Sequence, residues 1–254
     1  MPCRNGYEGD GGAAEEEAHV SLLGFDIEIS DVFRLGPGED MERYAPFHIS
    51  VAATAIPNGE ERHWLSLDES GQPALNLTRE RAHELLEYLE QKLDEGFALC
   101  AWNGLQFDMK WIGHHANDMA MAARIALKIY DPMFQFFNDH GYPVGLASVA
   151  AGFDIAQKKL MDGADAPKEW RAGNFEKVKE YVLGDCQMTH RIVQAIQDTG
   201  KIQWVNRNGE FKSKPMHPLK TAEEVIAAPC PDQSWMDRPF PKAGFHRWVD
   251  EALG

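Results

Sequence analysis

A change in hydrophobic pattern near Leu77 constrains the fold of this 254-residue chain more than any other feature. Before Leu77 the apolar residues lie in short runs bounded by turn signals, which is typical of strands. After it they recur every three or four residues, as on one face of a helix. The strand candidates before the change are 19–30, 47–56 and 63–67. Three successive strands with short links predict an antiparallel meander.

The segments after Leu77 alternate between helical and extended patterns. This order predicts an α/β protein with a mixed sheet, in which the three-strand antiparallel meander continues into parallel strands, flanked by helices. The helices are predicted over 78–95, about 107–126 with a break near Asn117, 145–152 and 174–198, and the strands over 97–102 and, more weakly, 126–130.

Composition divides the chain into three parts. Residues 1–18 are rich in Gly, Ala and Glu and predict a disordered tail. Residues 19–198 contain the elements of one α/β domain. In residues 199–254 we expect a hairpin around Asn208-Gly209 and an extension that packs on the domain through its aromatic residues, Trp235, Phe240, Phe245 and Trp248.

Charge and composition exclude several classes of protein. No apolar run approaches the roughly 20 residues of a membrane-spanning helix, so we expect no membrane association. The four cysteines have neither metal-site nor disulfide-rich spacing, and we therefore expect a cytoplasmic protein. The net charge of −15 disfavours a broad phosphate-binding surface unless bound divalent cations reverse the local sign.

Two acidic side chains interrupt the first strand. With a period of two residues, Asp26 and Glu28 share a face, about 7 Å apart along the strand. Like charges this close repel each other unless a cation lies between them. A strand end that frays into solvent would also accommodate them, so this fragment alone leaves both interpretations open.

Two further carboxylates lie at positions where ligands or core residues are expected. Asp185 falls in an apolar stripe of the last long helix, where burial is costly unless it is paired or binds a metal, and Tyr181 lies one turn earlier. Asp108 ends NGLQFD, at a strand-to-helix junction where α/β proteins bind ligands. The alternatives are a salt bridge at the edge of the stripe for Asp185 and a favourable first-turn position for Asp108.

Taken together, three segments resemble the motifs of the DEDD superfamily of 3′→5′ exonucleases, which have the ribonuclease H-like fold. FDIE (25–28) resembles the first motif, NGLQFD (103–108) the second and YVLGD (181–185) the third. The Y-x3-D spacing is typical of the DEDDy branch. FDIE and NGLQFD are similar to the proofreading exonuclease domain of family-B DNA polymerases. The resemblance spans residues 19–198. It departs at Ile29-Ser30, where that family has threonine after the glutamate. It also departs at Gly184, a glycine before the final aspartate in a helix that the family tends to keep regular.

The resemblance implies a stand-alone 3′→5′ exonuclease that releases nucleoside monophosphates from single-stranded ends, with DNA favoured and DNA repair or proofreading as its setting. It also implies two divalent ions, Mg²⁺ or Mn²⁺. Asp26 would bridge the ions, Tyr181 would orient the attacking water, and Asn103 and Phe107 would line the pocket of the 3′-terminal nucleotide. The implied metal ligands are Asp26, Glu28, Asp108 and Asp185. The C-terminal extension is a candidate surface for replication or repair proteins.

Other readings remain open at this point. The same motifs fit an enzyme that trims RNA 3′ ends, a catalytically silent module that binds nucleic acid or protein, or a phosphoesterase acting on small nucleotides. Several residues have simpler interpretations: His114 and His115 as solvent-facing, Asp131 as the start of a helix, and Cys186 as a buried thiol. The lysines between 158 and 179 alternate with acidic residues, which is typical of a solvated face.

Overall fold

The computed structural model describes residues 21–34, 36, 39, 41–155 and 160–254. The predicted tail at 1–18 lies outside the described residues, as do Lys158 and Lys159 of the basic run.

The described strands form two sheets. In the first, of order β3-β2-β1-β4, β1 pairs antiparallel with β2 and parallel with β4, and β2 pairs antiparallel with β3. The predicted α/β class with a mixed sheet is therefore confirmed. β5 and β6 form the separate hairpin. The strands are β1 (Leu22–Ile29), β2 (Ile49–Ala55), β3 (Glu61–Trp64), β4 (Ala98–Cys100), β5 (Lys201–Val205) and β6 (Phe211–Pro215).

The helices begin and end at signals that the sequence carries. Thr78 Oγ1 accepts a hydrogen bond from the backbone N–H of Arg81 at 3.2 Å and caps the first helix. Asn117, with φ of 56°, separates the second from the third. The described helices are α1 (Arg79–Asp94), α2 (Asp108–Ala116), α3 (Met119–Lys128), α4 (Pro132–His140), α5 (Leu146–Gly152), α6 (Ala166–Arg171), α7 (Phe175–Thr199), α8 (Ala222–Ala227) and α9 (Ala243–Leu253).

The predicted strand at 126–130 is wrong. Residues up to Lys128 belong to α3, because Ile125 and Ala126 continue the buried face of that helix. Within this segment Tyr130 alone joins the sheet, through a single parallel bridge to Cys100. A short apolar run carries no periodicity that separates a buried strand from a buried helix.

The interpretation of His115 is also wrong. His114 is exposed, but His115 is partly buried: its Nδ1 accepts a hydrogen bond from the backbone N–H of Ile49 at 3.3 Å, and its Nε2 donates to the carbonyl oxygen of Leu77 at 2.7 Å. Burial lowers the pKa of His115. This side chain therefore ties α2 to β2 as a neutral imidazole.

Helices cover both faces of the larger sheet. The apolar face of β1 packs in the main core with α1, α2 and α3, whereas the opposite face meets α7. Gly24 allows this second approach, because a Cβ atom there would lie 2.6 Å from the carbonyl oxygen of Cys186. Residues on the apolar face are Leu23, Phe25, Ile27 and Ile29.

The C-terminal segment contacts helix α5 and the main core. Gly152 of α5 lies against the backbone of Gln203 in the hairpin. Phe245 and Trp248 of α9 are buried in the main core, whereas Trp235 is 62% exposed and Phe240 is 45% exposed. Among the described residues, no helix combines the length and the apolar character needed to span a bilayer.

Candidate functional site

Strand β1 presents two carboxylates to helix α7. Asp26 pairs with Ala53 and Glu28 with Val51 on β2, while the start of β1 pairs with β4 on its other side. The strand is therefore internal to the sheet, and Glu28 is only 9% exposed. These positions do not fray into solvent, which removes the simpler interpretation of the D-x-E pattern.

Helix α7 brings a third carboxylate to the same place. Oxygen atoms of Asp26, Glu28 and Asp185 lie within 4.8 Å of one another. Gly24 sets the distance between β1 and α7, and the buried residues Val182 and Thr189 set the rotation of the helix. We call these three acidic side chains the carboxylate cluster.

Asp108 lies beside this cluster and joins it to α2. It is buried at the first position of the helix, where its charge is favourable to the helix dipole. The backbone N–H of Ile27, between Asp26 and Glu28 in the sequence, donates to Asp108 Oδ1 at 3.0 Å. The Asp26 and Asp108 carboxyl groups are themselves within hydrogen-bonding reach. The four predicted acidic residues are therefore brought together.

Burial makes ionisation of these groups costly. Desolvation raises the pKa of Asp26 and Glu28 well above their ordinary values, and repulsion by neighbouring carboxylates adds to the rise. Desolvation also raises the pKa of Asp108 to about 7. Acidic groups that resist ionising together are stabilised as carboxylates when a cation lies among them.

The donor set fits a hard divalent cation. All the converging atoms are carboxylate oxygens, which suit Mg²⁺ or Mn²⁺, and within the described chain the cluster contains no thiolate or imidazole ligand that would favour a softer metal. Asp26, Glu28 and Asp185 offer one oxygen each at a common centre. The cluster therefore has the chemistry of a divalent metal site.

Tyr181 lies one turn before Asp185 on the same face of α7. Burial, followed by the nearby Asp185 carboxylate, raises the pKa of the Tyr181 hydroxyl above its ordinary value of 10, so the phenol stays protonated at neutral pH. Gly163 lies against this group, because a Cβ atom there would be 3.2 Å from the hydroxyl oxygen. The phenol is thus held at the cluster as a hydrogen-bond donor.

The segment between β4 and α2 forms one wall of a cleft of about 500 Å³ that borders the carboxylate cluster. Asn103 has a left-handed backbone, with φ of 64°, and its Oδ1 is buried with no hydrogen-bond partner among the described residues. Phe107 packs near Phe47, with ring centroids 6.0 Å apart. A buried acceptor without a donor is unfavourable until a water molecule or another group supplies the hydrogen bond.

Two cavities border the carboxylates. The first, of about 500 Å³, is lined by the cluster, by Asn103 and Phe107, and by Phe33 and Met41 from the connection between β1 and β2. The second, of about 470 Å³, lies on the side of Tyr181 and is lined by apolar residues of α5. Gly163 and Asp185 line both cavities.

Several residues that shape this site were not identified from the sequence. Gly24 carried a local signal, since a glycine inside a strand often marks close backbone approach. Asp131 was interpreted only as a helix start, yet it also accepts hydrogen bonds from Asn103 and Leu105. Trp248 donates to the carbonyl oxygen of Leu105, and no local pattern links residues this distant in the sequence.

Comparisons with known proteins identify a solved structure of similar fold. A search of curated proteins finds no match. Among solved structures, the family B DNA polymerase from the hyperthermophilic archaeon Pyrobaculum calidifontis is similar, with a TM-score of 0.50 and 16% identity over 70% of this chain and 24% of that chain. The likeness shows a shared fold, and the matched region is about a quarter of the polymerase.

A family model gives the classification. The model of the RNase_H superfamily matches residues 69–197, a segment that contains Asp108, Tyr181 and Asp185 and that follows β1. This segment makes up half of the chain. The chain belongs to the RNase_H superfamily.

Proposed function

We propose that this protein is a metal-dependent 3′→5′ exonuclease that hydrolyses phosphodiester bonds at the 3′ end of single-stranded nucleic acid, preferably DNA. Membership of the RNase_H superfamily and the carboxylate cluster support a nuclease. The observation that carries the proposal is the convergence of Asp26, Glu28 and Asp185 within 4.8 Å, with Asp108 and Tyr181 beside them. The 3′ polarity and the DNA preference rest on the resemblance of the three motifs.

The acidic residues provide the metal ligands in this proposal. Asp26, Glu28 and Asp185 would hold one divalent ion, and Asp26 and Asp108 a second. A bound divalent cation supplies Lewis-acid stabilisation of the charge that develops on the phosphoryl oxygens. Because the four carboxylates are buried and repel one another, they are poorly suited to binding a phosphate unless cations offset their charge.

Tyr181 acts as a hydrogen-bond donor rather than as a base. Its raised pKa keeps the phenol protonated, and Asp185 lies within its reach. From this position the hydroxyl orients the attacking water toward the phosphorus atom, so that the water need not reorganise before reaction. Its contribution is positional, and a phenylalanine would lose it.

Asn103 and Phe107 hold the terminal nucleotide. The Asn103 side chain lines the cavity and hydrogen-bonds to the sugar or base, and Phe107 packs against the same nucleotide. A cavity of about 500 Å³ has the size of an ordinary small-ligand pocket. Hydrolysis at the adjacent phosphodiester then releases a nucleoside monophosphate.

A 5′-labelled oligonucleotide tests this assignment. The protein is incubated with single-stranded DNA or RNA of one sequence, with Mn²⁺, Mg²⁺ or EDTA, beside Asp26→Ala and Asp185→Ala. The matched control is Glu210→Ala, which removes an exposed carboxylate paired with Lys212 in the hairpin of β5 and β6. With Mn²⁺ or Mg²⁺ we expect a descending ladder of products. EDTA and both cluster variants should abolish the ladder, and Glu210→Ala should retain it.

Other outcomes contradict the proposal in distinct ways. Immediate release of the labelled terminal nucleotide would indicate the opposite polarity. Binding without cleavage in every metal condition would indicate a silent module, and cleavage confined to a mononucleotide ester would indicate a small-molecule phosphoesterase. RNA cleaved faster than DNA would overturn the substrate preference alone.

A further inference from the structure

The loop at 103–105 is held by a side chain from the next helix. Asp131 precedes α4, and its Oδ1 accepts hydrogen bonds from the backbone N–H groups of Asn103 and Phe134, both at 3.1 Å. Its Oδ2 accepts a hydrogen bond from the N–H of Leu105, also at 3.1 Å. One buried carboxylate therefore joins the start of α4 to two residues of the loop.

A second side chain holds the same loop from the C-terminal helix. The indole Nε1 of Trp248, in α9, donates to the carbonyl oxygen of Leu105 at 2.9 Å, and both groups are buried. The two backbone polar groups of Leu105 are thus bound by different elements. The neighbouring Gly104 leaves little room for adjustment, since a Cβ atom there would lie 2.4 Å from the Cβ of Ala101.

We propose that Asp131 and Trp248 are positioning residues of the candidate site, a role that rests on the proposed function. Together they fix the backbone from which the Asn103 amide enters the cleft and from which α2 begins with Asp108. Neither residue is among the described residues that line the cleft. Both act through the loop at 103–105. Helix α9, which carries Trp248, therefore helps to position the candidate site.

The contacts of Asp131 exceed those of a helix cap. Asp118 is a cap of another helix: its Oδ1 accepts a hydrogen bond from the backbone N–H of Met121 at the start of α3, and its Oδ2 lies 3.6 Å from His83 Nε2. Asp131 makes the equivalent bond to Phe134. In addition, its two oxygens accept hydrogen bonds from Asn103 and Leu105, which precede it by 28 and 26 positions in the sequence. Capping alone requires only the bond to Phe134.

The two roles can be separated by substitution. Asp131→Ser keeps a hydroxyl that can cap α4 but is too short and has too few oxygens to hold the loop as well. Trp248→Phe keeps an aromatic ring and removes the indole N–H. The matched controls are Asp118→Ser, at the cap of α3, and Trp64→Phe, which removes a buried indole bond to Thr54 elsewhere in the fold.

Three measurements are compared across these variants. They are the affinity for deoxythymidine monophosphate in Mn²⁺, kcat and KM on single-stranded DNA, and backbone amide hydrogen exchange at Asn103 and Leu105. In Asp131→Ser and Trp248→Phe we expect the nucleotide affinity to fall about fivefold, with a matching rise in KM. Mn²⁺ affinity at the carboxylate cluster should be unchanged, because its ligands lie on β1 and α7.

The outcomes separate this inference from the proposed function. Wild-type nucleotide affinity in both variants, or equal losses in the controls, would overturn the positioning role. If the wild-type protein neither cleaves DNA nor binds the nucleotide, the proposed function fails. Hydrogen exchange then decides whether the two side chains fix the loop: faster exchange at Leu105 in both variants supports it, and unchanged exchange contradicts it.

Discussion

Substituting Gly24 by alanine tests how closely the candidate site depends on the spacing of β1 and α7. The added Cβ atom would lie 2.6 Å from the carbonyl oxygen of Cys186, whereas ordinary contact begins at 3.4 Å. β1 and α7 must therefore separate by about 0.8 Å, since the atom that is met belongs to the backbone and not to a flexible side chain. Asp185 immediately precedes Cys186, so the separation moves this carboxylate away from Asp26 and Glu28.

The size of the expected effect follows from this displacement. Overpacking a well-packed contact typically costs about 1–3 kcal/mol of stability. Misplacing a reacting group by about 1 Å can cost about 100-fold in rate. We therefore expect Gly24→Ala to remain folded, to lose about 50-fold or more in kcat on single-stranded DNA, and to bind Mn²⁺ more weakly.

The matched control is Gly152→Ala. A Cβ atom at Gly152 would lie 2.4 Å from backbone atoms of Gln203, so the crowding is comparable but occurs where α5 meets β5. Urea unfolding measures stability, calorimetric titration measures Mn²⁺ affinity, and the labelled-oligonucleotide assay measures kcat. Retention of wild-type Mn²⁺ affinity by folded Gly24→Ala, or equal losses in both variants, would refute the link between this contact and the cluster.

Three further predictions follow from individual contacts. Tyr181→Phe should slow kcat by more than about tenfold at unchanged Mn²⁺ affinity; an unchanged kcat would remove the positional role of the hydroxyl. Burial lowers the pKa of His190 from 6.5 to about 4, so its neutral form stabilises the fold at pH 7 and this contribution is lost as the pH falls below 6.5. Between pH 7 and 5 the free energy of unfolding of the wild-type protein should thus fall by about 1 kcal/mol more than that of His190→Gln, a figure already reduced for partial solvent access. Urea unfolding measures both values, and equal losses would contradict this account. Thr78→Ala should cost about 1 kcal/mol through the lost cap of α1 while Thr78→Ser is neutral, which urea unfolding also measures.

The parts of the fold that sequence reasoning predicted are those set by local signals. Thr78 and Gly96 bound α1, Asn117 divides α2 from α3, and Gly200 ends α7, because each of these residues acts on the backbone of its own neighbours. The positions of Asp26 and Glu28 on one face follow from strand geometry alone. Such features need no knowledge of what packs against them.

The errors arise where tertiary packing decides between local alternatives. The apolar run at 126–130 suits a buried helix end as well as a strand. The first residues of the run are helical because they continue the buried face of α3. Helix α6 has six residues, too few to show a helical period. His115 on an isolated helix would face solvent, but β2 and the carbonyl oxygen of Leu77 provide partners from distant sequence.

The same distinction applies to the candidate site. Its acidic residues could be selected from the sequence because carboxylates at apolar positions are conspicuous wherever they occur. The hydrogen bonds of Asp131 and Trp248 could not be, since each joins backbone groups that only the finished fold brings together. Sequence patterns locate unusual chemistry, whereas its supporting contacts depend on three-dimensional packing.

The two cavities that share Asp185 have a consequence for the shape of a suitable substrate. About 500 Å³ lies on one side of Asp185 and about 470 Å³ on the other, so space for a ligand borders this carboxylate on two sides. A polymeric ligand could place consecutive units in the two spaces. A free mononucleotide would occupy one of them and gain no contacts from the other.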